Sequence, residues 1–294
     1  MTRRQAVAAA TLPVLLLSGP HLASQKQSFS SSTLAVSVDV LVTDGRNPVA
    51  GLTAADFKLR DNDVLQTVDL VVTSDVPVNA VLALDTSAST TGQRKKDLIA
   101  ASQALLDGLK PADRAALTTF SQAVAPRIGL TSDIAAVRAA LLQIEPSGET
   151  SVMDGAYVAL TAALAQTGRS LVVVCTDGAD TMSWLQPDEV LETAKRSNAV
   201  LYAVTAADGR RHSSLKDLAD ATGGHMLQVT SSADLRPAFQ KILQDFRSRY
   251  ILAYSPQGVS LDGFHRLDVR VKRRGLTVKA RPGYIGVGQA RRVR

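Results

Sequence analysis

Three short polar stretches of this chain carry the residue types that can do chemistry. The first closes Val81 to Thr90, Val-Leu-Ala-Leu-Asp-Thr-Ser-Ala-Ser-Thr, an uncharged run ending in a carboxylate and then hydroxyls at alternate positions. Asp85, Ser87 and Ser89 thus form an Asp-x-Ser-x-Ser loop. The second is Ser147-Gly148-Glu149-Thr150, just ahead of a helical segment, and the third is Thr176-Asp177-Gly178-Ala179-Asp180, directly after Leu171 to Cys175. Asp85, Ser87, Ser89, Thr150 and Asp177 offer only oxygen, which suits a hard cation such as Mg²⁺ or Ca²⁺. Neutral hydroxyls and two carboxylates supply limited charge. An ion held that way stays electron-poor and keeps a place for an outside anion.

Other chemistries find less support. A phosphoryl-transferring aspartate would want a second acid two residues on, where Ser87 stands. The histidines beyond the first residues, His212, His225 and His265, lie near no Gly-x-Ser-x-Gly elbow and read as surface or strand residues. No glycine-rich phosphate loop is present. The expectation is a binding protein, not an enzyme.

The elements that must position these loops follow from periodicity. Strands are expected over Ala80 to Leu84, Ala115 to Phe120, Val124 to Ile128, Ser170 to Thr176, Ala199 to Val204 and His225 to Val229. Helices are expected over Gln93 to Leu109, Ile134 to Ile144, Val152 to Gln166, Pro187 to Ser197, Leu215 to Ala221 and Ala233 to Arg247, with Gly223-Gly224 as a stop. This alternation predicts an α/β fold: an open, mostly parallel sheet with helices on both faces, whose ligands sit at the strands' carboxyl ends. The tight Ser121-Gln122-Ala123 link makes one edge strand antiparallel.

The flanks read differently. Residues 34–72 alternate with period two over Leu34 to Thr43, turn at Asp44 to Pro48, and are expected to form a second strand over Val64 to Val72. After Arg247, residues 248–285 return to strands at Tyr250 to Tyr254, Arg266 to Val271 and Leu276 to Ala280. Neither flank can bury a core alone, so the two are expected to pair as one small β domain beside residues 79–247.

Composition bounds the remaining readings. At 294 residues and 45% hydrophobic the chain can bury a sizeable core. Arg3 and Arg4, the apolar Ala6 to Leu17 and the small residues to Ala23 read as a signal peptide over 1–23, followed by a Ser/Gln-rich linker at 24–33. The apolar run falls short of the ~20 residues that span a bilayer, so no transmembrane anchor is expected. Export to periplasm, cell envelope or medium is. Cys175, the sole cysteine, reads as a small core residue. Of the net charge of +6, residues 266–294 hold ten Lys/Arg against Asp268 alone, a local +9 that ends in a basic tail at 286–294. Without interleaved aromatics this is a solvated strand face and no nucleic-acid platform. Trp184 and Leu185 form an apolar pair beside the proposed ion, either a partner contact or a helix staple.

Taken together, Asp-x-Ser-x-Ser, a loop threonine and Thr-Asp-Gly resemble the metal-ion-dependent adhesion site of von Willebrand factor type A (VWFA) domains. The resemblance runs from about Asn79 to Arg247 and includes Ala219 to Gly224. The flanks, with Gly51 to Phe57, Tyr250 to Pro256 and Ala280 to Tyr284, resemble exported bacterial proteins of the VWFA-related acidobacterial type. The resemblance implies that Ser87, Ser89 and Thr150 offer hydroxyls to Mg²⁺, with Mn²⁺ or Ca²⁺ as substitutes, while Asp85 and Asp177 act directly or through water. It also implies that a protein ligand supplies an acidic residue to the ion. One departure is Gly148-Glu149-Thr150 where the family commonly has Gly-Gly-Thr: Glu149 either points away or fills the open position, and Asp180 raises the same question. The other reading is a structural module of the envelope that binds without an ion.

Overall fold

A computed structural model of the chain describes residues 35–72, 76–164, 168–206 and 212–286. The signal peptide and linker expected over 1–33, and the basic tail after Gly286, lie outside the described residues. In chain order the strands and helices are β1 (Val36–Asp44), β2 (Asn47–Pro48), β3 (Phe57–Asp61), β4 (Val64–Gln66), β5 (Leu70–Val72), β6 (Val78–Asp85), α1 (Gln93–Asp107), β7 (Arg114–Phe120), β8 (Val124–Thr131), α2 (Ile134–Leu142) and α3 (Val152–Leu164). They continue with β9 (Arg169–Thr176), α4 (Pro187–Arg196), β10 (Val200–Ala206), α5 (Ser213–Ala221), β11 (His225–Val229), α6 (Leu235–Arg247), β12 (Tyr250–Tyr254), β13 (Gly263–Val271), β14 (Thr277–Lys279) and β15 (Gly283–Gly286).

Six strands form the central sheet in the order β11-β10-β9-β6-β7-β8, parallel throughout except for the β7–β8 hairpin at the edge. The uncharged strands serve two layers at once, because successive side chains point to opposite faces. Ala80, Leu82 and Leu84 of β6 join α1, α2 and α6 on one side, while Val81 and Ala83 join α3, α4 and α5 on the other. Cys175 packs in the first layer, and burial pushes its thiol far above the ordinary range. The chain leaves β6 for β7 on one side and later returns to β9 on the other. The order therefore reverses between β6 and β9, which opens a crevice at their carboxyl ends.

The flanks build a sandwich. One sheet runs β14-β1-β12-β5 with β2 on β1; the other runs β15-β13-β3-β4. Val38, Val40 and Val42 of β1, with Tyr250, Leu252 and Tyr254 of the adjacent β12, face Phe57, Leu59 and Leu267 of the other sheet across its core. The single strand expected over Val64 to Val72 is split: β4 pairs with β3, and β5 pairs with β12 in the opposite sheet. Gln66 marks the crossing, its buried amide bonded both ways to the Gln257 backbone at 2.9 Å. Strand β3 was not expected, because its inward positions read Phe57, Leu59 and then Asp61. That aspartate is fully buried and accepts hydrogen bonds from Tyr254 Oη (2.8 Å) and Tyr284 Oη (3.0 Å), with His265 Nδ1 at 2.8 Å. His265 is thus a core residue of strand β13.

The sandwich meets the sheet at the amino ends of its strands, where helices present unpaired C-terminal carbonyls. Three buried arginines take them. Arg169 donates to Phe246 O at the end of α6 (2.9 Å) and to Asp39 of β1 (2.5 Å), and its guanidinium lies over the Phe246 ring. Arg249 donates to Gly223 O after α5 (2.6 Å), to Tyr202 Oη (3.1 Å) and to Asp39 O (3.1 Å). Arg281 donates to Lys195 O in the last turn of α4 (2.6 Å) and to Asn198. Gly223 turns the chain there with φ +78°, and a Cβ at Gly224 would strike Leu201 O at 1.8 Å.

Candidate metal centre

Asp85 ends β6 inside the crevice. It is buried; Oδ1 accepts from Ser87 N (2.8 Å) and Oδ2 from Thr176 Oγ1 (2.5 Å). Burial raises its pKa above the usual carboxylate value, helped by the charge of Asp177 and opposed by the hydrogen bonds from Thr176 and Ser87. The backbone then stitches the three loops together. Ala88 N donates to Gly148 O (2.9 Å), Ser147 N to Thr86 O (2.8 Å), and Thr181 N to Thr150 O (2.9 Å). Each polar stretch is thereby tied to another by main chain rather than by mobile side chains.

Their oxygens form a chain of contacts. Ser87 Oγ lies 3.1 Å from Ser89 Oγ, which donates to Asp177 Oδ1 at 2.7 Å. Thr150 is buried, and a Cβ at Gly178 would come within 3.4 Å of its Oγ1, so the absent side chain leaves the hydroxyl room. Asp85, Ser87, Ser89, Thr150 and Asp177 are therefore gathered at one crevice by three loops. Among the described residues no group of three His, Cys, Asp or Glu is spaced to hold a metal. The donor set here is two carboxylates and three hydroxyls, which fits a hard cation such as Mg²⁺, Mn²⁺ or Ca²⁺.

The two acids that raised questions are engaged elsewhere. Glu149 is exposed and its Oε2 accepts from Thr181 Oγ1 (3.2 Å). Asp180 caps α3: Oδ2 accepts from Met153 N (3.0 Å) and Oδ1 from Ser183 N (3.1 Å). The pair Trp184-Leu185 divides. Leu185 packs on the core while Trp184 is 88% exposed, both backbone amides held by Asp154 at 3.0 Å. This pinned loop displays its indole to solvent.

Two neighbours went unread in the sequence. Thr176 fixes Asp85, and Arg94 donates to Asp177 Oδ2 at 2.9 Å. A signal for the second was present: Arg94, Lys95 and Lys96 crowd the first turn of α1, where the helix dipole disfavours cations.

Comparison with known proteins agrees with this architecture. The family model for the von Willebrand factor type A domain matches residues 79–242. The fold is similar to that of a von Willebrand factor type A protein from Catenulispora acidiphila, with TM-score 0.53 and 13% identity over 80% of this chain and 74% of that one. It is also similar to proximal thread matrix protein 1 of the mussel byssus, in a structure with a zinc-occupied MIDAS motif: TM-score 0.54, 17% identity, 64% of this chain and 50% of that one. The sequence has no significant match to a curated protein. These matches speak to the family and not to the acidobacterial subtype. With the family model spanning more than half of the 294 residues, the chain belongs to the von Willebrand factor type A domain family.

Proposed function

We propose that the protein is a non-enzymatic, exported binding module that holds a divalent cation at Asp85, Ser87, Ser89, Thr150 and Asp177 and through it takes an acidic residue of a protein partner. When bound, the ion supplies an electron-poor centre that attracts a carboxylate. Ser87, Ser89 and Thr150 would hold it as neutral donors, and Asp85 and Asp177 would neutralise its charge. The observation that carries the reading is the contact row Ser87–Ser89–Asp177, closed by backbone bonds to the Thr150 loop. Engagement of Glu149 by Thr181 supports an open position for an outside ligand. The zinc-occupied motif of the mussel protein supports a metal at the same place in the fold. Export rests on the leader read at 1–23; among the described residues no helix is long and apolar enough to cross a membrane.

The test is capture of envelope proteins by the immobilised chain in Mg²⁺, in chelator, and with Ser87→Ala. Capture that requires Mg²⁺ and Ser87 is expected. Capture indifferent to both chelator and Ser87→Ala would replace this reading with the ion-independent envelope module.

A further inference from the structure

Both oxygens of Asp177 already have partners. Oδ1 accepts from Ser89, and Oδ2 is held by the Arg94 guanidinium at 2.9 Å, which also reaches the Ser89 carbonyl at 3.5 Å. Arg94 stands in the first turn of α1, whose N-cap, Gly92, offers no side-chain oxygen and whose opening residues include no acid. The helix dipole opposes a cation there, so the carboxylate must hold it. Of the neighbouring lysines, Lys95 points to Glu145 instead. The Arg94 side chain is 58% exposed, against 21% for Asp177. The guanidinium can leave into water while the carboxylate stays.

We infer that Arg94 is a built-in competitor of the divalent ion: it neutralises Asp177 when the ion is absent, and must give up that carboxylate, against its own charge repulsion, for the ion to bind. The inference rests on the reading of Asp177 as an ion ligand. Arg94 then acts as a positioning residue that keeps the Asp177 loop in place and sets a weak, reversible ion affinity. Repulsion between a unit charge and a divalent ion sharing one carboxylate in a solvent-exposed setting weakens binding by roughly tenfold or more. The penalty is electrostatic, so it must shrink as salt screens it.

The test is calorimetric titration of Mn²⁺ into the chelator-stripped full chain and into Arg94→Gln and Arg94→Lys. Gln keeps the length and hydrogen bonding without the charge; Lys keeps the charge. The inference expects Arg94→Gln to bind about tenfold tighter than wild type at low salt, Arg94→Lys to stay close to wild type, and the advantage of Gln to narrow in high salt. Thermal melts of the ion-free proteins should show Arg94→Gln slightly less stable than wild type. Uptake by Arg94→Gln alone would support the inference in its strongest form. Equal or weaker binding by Arg94→Gln, with wild type binding normally, overturns the competition and leaves the ion site standing. No uptake by any of the three overturns both.

Discussion

The two ends of the central sheet use arginine in opposite ways. At the amino ends, Arg169, Arg249 and Arg281 are buried and each donates to a carbonyl at or just beyond a helix C-terminus, where dipole and charge agree. At the carboxyl ends, Arg94 sits at a helix N-terminus, where they disagree, and it stays largely exposed on one carboxylate. Where dipole and guanidinium reinforce each other the charge becomes structure and fastens the sandwich. Where they oppose, the charge is held only by what it faces and remains available for exchange. One fold thus keeps a fixed seam below and a replaceable set of contacts above.

The sharpest way to break this contrast is to remove a seam arginine. Arg249→Met strands the Gly223 carbonyl and the Tyr202 hydroxyl in the interior and should cost about 3 kcal/mol or more of stability. Urea unfolding should show that loss while ion affinity is unchanged; a shift below about 1 kcal/mol would mean that the seam is not fixed by these bonds. Next, Asp61→Asn removes the charge on which Tyr254, Tyr284 and His265 converge, with an expected cost of about 2 kcal/mol by the same assay.

A pH-dependent effect comes from His225, beside the Tyr202 ring, whose pKa burial and the cations Lys279, Arg249 and Lys241 depress to about 4. The unfolded chain takes up this proton near pH ~6.5 and the folded one does not. Stability should therefore fall as pH drops from ~6.5 toward 4 and then level off, and His225→Gln should flatten that slope; an unchanged slope would place the acid sensitivity elsewhere. At the rim the expected stability effect is least. Ser87→Ala, which removes the buried hydroxyl partner of Ser89, should change unfolding by only about 1 kcal/mol yet abolish ion uptake, and a large destabilisation would make the rim as structural as the seam.

Much of this was legible because it is local. Uncharged strands, helical spacing and the Gly223-Gly224 stop disclosed the α/β order, and the three polar stretches stood out since each follows or precedes a periodic element. The sandwich was harder to read. Asp61 breaks the apolar alternation of β3, since the partners that justify its burial lie some two hundred residues away. The short β15 and the glycine start of β13 carry no period. Arg281 looked like one more member of a solvated basic stretch; only the arrival of α4 beneath it explains its burial. The grouping of Arg94 with Asp177 was equally hidden, although three cations opening α1 ran against the dipole rule.

The central claim is that five side chains from three loops hold one ion with room for an outside carboxylate. An anomalous difference map from crystals soaked in MnCl₂ tests it most directly. The account predicts a single strong peak between Ser87, Ser89 and Thr150, within direct or water-mediated reach of Asp85 and Asp177, with Glu149 still on Thr181. A map with no peak there, or with Glu149 bound to the ion, would contradict it.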